Sequence, residues 1–239
     1  MGWGLRTVVT IVFAALLLLS FGVPLAQLAA TPRTWSEFLP ALAAGRGALL
    51  NSTLYATGAA IGCVGLGLLL APVRRLGWIW ILFFVPGVLL GIGAVSALND
   101  PVFDWVMRTS VIVITLLILR YVAVARSLTS AALGMIDSGL VDAARLDGAR
   151  GLRLFQDVTF PQISSQVAAA AYVVYLLALW DVETILLVIP PGGETLALRV
   201  FNLLHYGHNA HVNVLCLLLL LLAVAPLGLF AVWRAVKRT

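Results

Sequence analysis

Six long apolar runs alternate with polar breaks along the chain, at residues 8–28, 49–70, 78–98, 110–125, 165–189 and 212–233. About 20 apolar residues at 1.5 Å each cross a bilayer core of about 30 Å. Hydrocarbon offers the backbone no hydrogen bonds, so each run is predicted to be a helix that satisfies its own N–H and C=O groups. The pattern therefore predicts an all-α, polytopic membrane protein: six spans in one transmembrane domain, residues 1–239. The two longest polar breaks fall at 126–164 and 190–211. Gly58, Gly62, Gly65 and Gly67 in the second run predict close helix packing. Pro86-Gly87 predicts a kink or local unwinding in the third.

Composition agrees. Hydrophobic residues make up 62% and charged residues 10%, against about 25% charged in soluble domains; mean hydropathy is +1.07. The net charge of +5 implies no nucleic-acid partner, because the cations fall at the ends of apolar runs. Arg6, Arg74, Arg75, Arg126, Arg145, Arg150, Arg153, Arg234, Lys237 and Arg238 collect on one side. Arg33, Arg46, Arg108 and Arg199 fall on the other. Positive residues stay inside, so the expectation is two cytoplasmic termini, an inner loop over 126–164 and an outer loop over 190–211. Arg120, inside the fourth run, is expected to snorkel toward the inner face. The first run is longer than a secretory h-region and lacks a clear A-x-A site, so it is expected to be an uncleaved helix. Cys63 and Cys216 lie inside apolar runs and are expected to pack as small core residues.

One polar island carries most of the information. Leu140, Ala143, Ala144 and Asp147 recur at helical spacing, and Gly148 can end that short helix in the left-handed conformation. A further turn or two can follow Gly151, with Pro161 at the opening of the next span. Asp142-Ala143-Ala144, three residues, Gly148, nine residues, then Val158-x-Phe160-Pro161 resembles the E-A-A-x3-G-x9-I-x-L-P loop of type I ABC importer permeases. Asp142, Val158 and Phe160 stand where that family has Glu, Ile and Leu. The resemblance implies a cytoplasmic coupling helix that docks an ATPase subunit through Asp142, Ala143, Ala144, Gly148, Val158, Phe160 and Pro161. It also implies a second permease subunit, like or unlike, two ATPase subunits, an extracytoplasmic solute-binding protein, and a bacterial inner-membrane location. The only lysine is Lys237, so the chain lacks the lysine of a G-x4-G-K-[ST] phosphate loop. ATP is then expected on the ATPase subunits, with no cofactor and no enzymatic chemistry on this chain.

The outer loop P-P-G-G-E-T-L, then Arg199-Val200, then L-L-H-Y-G, resembles the second half of ferric-iron type permeases. That wording implies ferric iron as cargo, or the thiamine, polyamines or phosphonates of related importers. Residues 195–204 are expected to form a short outer helix stopped by Gly207, with Glu194, Arg199 and His205 as contacts for the binding protein. His205, His208 and His211 recur every three residues, yet no carboxylate or cysteine joins them, so loop contacts rather than metal ligands are expected. Asp181 and Glu183 lie inside the fifth run, where a charge is expensive and marks a cavity or a partner. On a continuous helix the two point apart; Asp181 with Thr184 is favoured for the pathway, against mere hydration near the outer interface. The rival reading is an ion-coupled secondary transporter that uses Asp181 or Glu183 as its ion site.

Overall fold

The computed structural model describes residues 3–73, 75–205 and 209–236. Arg74, Gly207, His208, Lys237 and Arg238, all used in the sequence reading, lie outside them, as does the side chain of Arg234. The described residues form helices and turns only. In chain order these are α1 (Trp3–Leu17), α2 (Val23–Ala30), α3 (Pro32–Ser36), α4 (Phe38–Leu70), α5 (Trp80–Phe84), α6 (Gly87–Ala97), α7 (Asp104–Met107) and α8 (Ser110–Leu133). They are followed by α9 (Ser138–Leu146), α10 (Gly151–Leu154), α11 (Phe160–Leu179), α12 (Leu196–His205) and α13 (Asn209–Val236).

Five stretches are long and apolar enough to cross a membrane, and a sixth crossing is possible through one broken pair. The first, Gly4–Ala30, runs α1 into α2 through a π turn at Leu18–Gly22. Its most apolar stretch buries nothing against the rest of the chain. The bundle proper is α4, α8 and α11, with α13 along its flank. Tyr55, Ala59 and Cys63 of α4 pack with Val113, Leu117 and Ala125 of α8 and Val174 of α11. Small residues permit this approach: a β-carbon on Gly62 would meet Ile118 Cδ1 at 2.3 Å, and one on Gly58 would meet Ile114 at 3.1 Å. Gly65 has open space around it, so the packing role falls to its neighbours.

Two spans depart from continuous helices. The third bends by 97° between Gly77–Phe84 and Gly87–Ala97, with Val85 and Pro86 extended at the break. Hydropathy predicts the fifth to be helical to residue 189, but α11 ends at Leu179 and the chain beyond it leaves the helix, with turns at 180 and over 183–188. Irregular backbone at membrane depth persists only where protein or a cavity satisfies it, and both breaks meet at one place.

At the other end of α11 the helix starts earlier than expected. Pro161 lies in the first turn of α11, as expected, but α10 and the π turn before it run on into α11, so that Gly151–Leu179 is one helical stretch. Proline has no N–H and its ring crowds the carbonyl four residues back. The turn just before it, Phe155–Thr159, is π-helical, and Phe160 N–H bonds Phe155 O. The wider turn carries the helix through the proline.

Candidate functional site

The polar island forms a corner of two helices. Asp137 caps α9 by accepting from Gly139 N at 2.8 Å. Its own N–H donates to Gln162 Oε1 at 3.0 Å, which ties the corner to α11. Gly148 adopts φ +86°. Ala149 N bonds Ala144 O at 2.9 Å and Gly148 N bonds Arg145 O at 3.0 Å, the paired bonds of a Schellman stop. Gly151, at φ +55°, turns the chain into α10. Asp142, Ala143 and Gly148 are exposed, Ala144 and Val158 half-buried, and Phe160 and Pro161 exposed at the base. Leu146 stands 90% exposed at the tip. The Asp142–Arg145 pair at 3.0 Å is exposed on both sides, so it adds little stability and leaves the carboxylate reachable. An apolar tip beside charges, on a corner held from behind, has the form of a docking knob.

The second feature lies where the two broken spans meet. Arg120 is ten residues along α8, about 15 Å from its start. It does not snorkel. Its Nη1 lies 3.3 Å from Asp181 Oδ2 and donates to Thr184 Oγ1, and its Nη2 lies 3.4 Å from Glu183 Oε2. Tyr121 OH and Thr184 Oγ1 each donate to Asp181 Oδ2 at 2.7 Å, and Thr184 N donates to Asp181 Oδ1 at 2.9 Å. The Asp181 carboxylate thus both neutralises Arg120 and organises the turn that ends α11. From the third span, Gly87 N donates to Glu183 Oε2 at 3.4 Å. A β-carbon at Gly87 would lie 2.0 Å from Arg120 Nη1 and 2.7 Å from Thr184 Oγ1. The bend at Pro86 therefore packs backbone directly against the ion pair.

These contacts correct the helical picture of Asp181 and Glu183. With α11 already ended, the two carboxylates do not point apart; both reach Arg120. They differ in surroundings. The side chain of Asp181 is 2% exposed, that of Arg120 16% and that of Glu183 63%. Thr184 is fully buried. A cleft of about 460 Å³ opens beside them, lined by Arg120, Tyr121, Leu177, Trp180, Asp181 and Glu183 among others. Arg120 Nε is buried without a hydrogen-bond partner. In the sequence Arg120 and the acids stand about sixty positions apart and nothing marks Tyr121. The signal was present: opposite charges at membrane depth usually find one another.

The loop that follows Pro190 is fastened to α4. Asn51 Nδ2 donates to Gly192 O at 2.7 Å and to Glu194 O at 3.0 Å, and Leu196 N donates to Ser52 Oγ at 2.8 Å. Glu194 pairs with Arg199 at 3.0 Å, both partly exposed. Leu196, Ala197 and Leu198 are buried, whereas Phe201 and Leu204 remain exposed. His205 Nδ1 contacts Phe201 O at 2.8 Å. His211 instead faces Glu37 at 3.3 Å, near α3. Among the described residues no three His, Cys, Asp or Glu side chains are grouped to hold a metal.

Known proteins align with this architecture. The family model described as "Binding-protein-dependent transport system inner membrane component" matches residues 64–235. The chain is 27% identical over 135 residues to the osmoprotective compounds uptake permease protein GgtC of a Synechocystis strain. That match covers 53% of this chain and 48% of GgtC. It is 32% identical over 118 residues to the putrescine transport system permease protein PotI of Escherichia coli K12, covering 49% of this chain and 40% of PotI. The chain thus spans about half the length of these curated relatives or less. Both broken spans, the corner, α8 and α11 lie within the matched region, which takes in only the end of α4, and the chain belongs to the family of inner membrane components of binding-protein-dependent transport systems.

Proposed function

We propose that the chain is one permease subunit of an ATP-driven importer, with a second permease subunit, two ATPase subunits outside the membrane core and an extracytoplasmic binding protein. The observation that carries this reading is the α9–α10 corner. It is stiffened by a glycine stop and a side-chain tether to α11, yet its tip is apolar and exposed. Asp142, Ala143, Ala144, Gly148, Val158, Phe160 and Pro161 are its coupling residues. ATP-driven approach of two ATPase subunits would move such corners and, through the continuous Gly151–Leu179 helix, reorient the spans between inward- and outward-facing arrangements. Asp181 and Thr184 belong to the wall of the pathway as its fixed frame, and Glu194, Arg199 and His205 lie on the surface offered to the binding protein.

The cargo is a small organic solute. The names of GgtC and PotI refer to osmoprotective compounds and to putrescine; neither mentions iron, and no metal-ligating group supports iron among the described residues. The observations favour this reading over an ion-coupled mechanism, because Arg120 already neutralises Asp181 and Glu183, at 63% exposure, offers no enclosed ion site. The test is co-expression with ATPase candidates. A stable complex is expected, whereas the isolated chain should bind no ATP, having only Lys237 as a lysine. Nucleotide binding by the isolated chain, or transport that continues without any ATPase, would overturn the reading.

A further inference from the structure

We infer that Glu183 and Trp180 form a contact site for an organic ammonium group, with the Arg120–Asp181 pair as the fixed scaffold behind it. The inference rests on the importer reading and names the cargo chemistry that the cleft would select.

Charge comes first. The knot holds one cation, Arg120, and two carboxylates, so its formal balance is −1, and the unbalanced charge sits on the exposed member. Asp181 is held by Arg120, Tyr121 and Thr184 and is shut away. Glu183 is 63% exposed, and both its contacts, to Arg120 Nη2 and Gly87 N, are long at 3.4 Å and fall on Oε2. Oε1 makes neither contact, so it can accept from a ligand. An exchangeable carboxylate thus stands in front of a permanent ion pair.

The neighbouring surface selects the kind of cation. Trp180, directly before Asp181, is 54% exposed and lines the same cleft with Leu176, Leu177 and Val182. An indole face attracts ammonium and alkylated ammonium groups, and the effect grows as water is removed. Apolar walls suit a carbon chain. An inorganic metal ion would find one free carboxylate and no His or Cys beside it, too few ligands for capture. An anion would meet Glu183 first, while the guanidinium behind is only 16% exposed and already engaged. The cleft of about 460 Å³ accommodates a short aliphatic amine.

The experiment uses the full chain in lipid nanodiscs, with binding heats measured for 1,4-diaminobutane, the neutral 1,4-butanediol and the anion succinate. Saturable binding is expected for the diamine alone. Glu183→Gln and Trp180→Leu should each weaken it by about tenfold or more, whereas Glu183→Asp should retain most of it. Two independent variants keep the test decisive if one of them fails to fold. Unchanged diamine affinity in both Glu183→Gln and Trp180→Leu would overturn the site. So would saturable binding of succinate, or no saturable heat from the wild type. Diamine binding needs no ATPase, so its failure is distinct from failure of the importer reading, which is decided by complex formation.

Discussion

A single arginine in α8 shows how much one buried charge can organise. Arg120 joins three spans: its own, the turn after α11 and the bend at Gly87. Removing one partner of a buried ion pair strands the other, which costs about 3–5 kcal/mol, while removing both is often close to neutral. Arg120→Met is therefore expected to destabilise the chain by about 3 kcal/mol, because it strips the Asp181 carboxyl group, at 2% exposure, of its cationic partner. Arg120→Met with Asp181→Asn should recover more than half of that loss, since asparagine can still accept from Thr184 N. Unfolding in mixed micelles, followed by circular dichroism, measures both; equal losses in the single and double variants would exclude this account. Only half of the knot was legible in the sequence. Each charge announced itself by its apolar surroundings, but the contact between residues about sixty positions apart depends on how α8 and α11 pack.

Among the elements, the corner was the easiest to read and the fifth span the hardest. Gly148 is stoppable by local chemistry alone, and its φ of +86° is the left-handed state that β-branched residues resist. Gly148→Val should disrupt the stop between Ala144 and Ala149 and misdirect α10. In a reconstituted transporter the expected outcome is normal membrane insertion, retained basal ATP hydrolysis and uptake reduced by about tenfold or more. Wild-type uptake by this variant would remove the corner from the coupling scheme. The fifth span carries no glycine or proline between Pro161 and Pro190, so hydropathy alone reads it as unbroken. Its break is specified by the Asp181 side chain, which captures Thr184 N in place of a helical carbonyl and is itself held by Arg120 and Tyr121.

For the whole molecule, the face formed by residues 194–205 poses a question of charge. Glu194 and Arg199 are paired with each other, at 29–36% side-chain exposure, and an exposed pair contributes about 0–1 kcal/mol. If they meet a binding protein, the sign at each position matters, not only the pair. Arg199→Glu should lower binding-protein stimulation of ATP hydrolysis in a salt-dependent way. The exchanged variant, Glu194→Arg with Arg199→Glu, restores the internal pair and should stay impaired. Full recovery by the exchange would mean that the pair only braces α12. Replacing His205 and His211 by Gln is expected to change uptake little, because one contacts a backbone carbonyl and the other Glu37.

Hydropathy by itself determined five crossings and the apolar bent pair that makes a sixth when counted as one span, and glycine spacing determined the corner and the close approach of α4 to α8, because these follow from local burial and local backbone freedom. It also carried the expectation of a short helix after Pro190, now seen over Leu196–His205. What it could not determine was where a span stops being helical inside the bilayer. In hydrocarbon a backbone group may leave its helix only if something else bonds or shields it, and that partner comes from a distant segment. The breaks at Pro86 and Trp180 exist together: Gly87 rests on Arg120 and Thr184, and Glu183 accepts from Gly87. Tertiary packing brought these four residues to one depth, and that juxtaposition turned isolated intramembrane charges into a site.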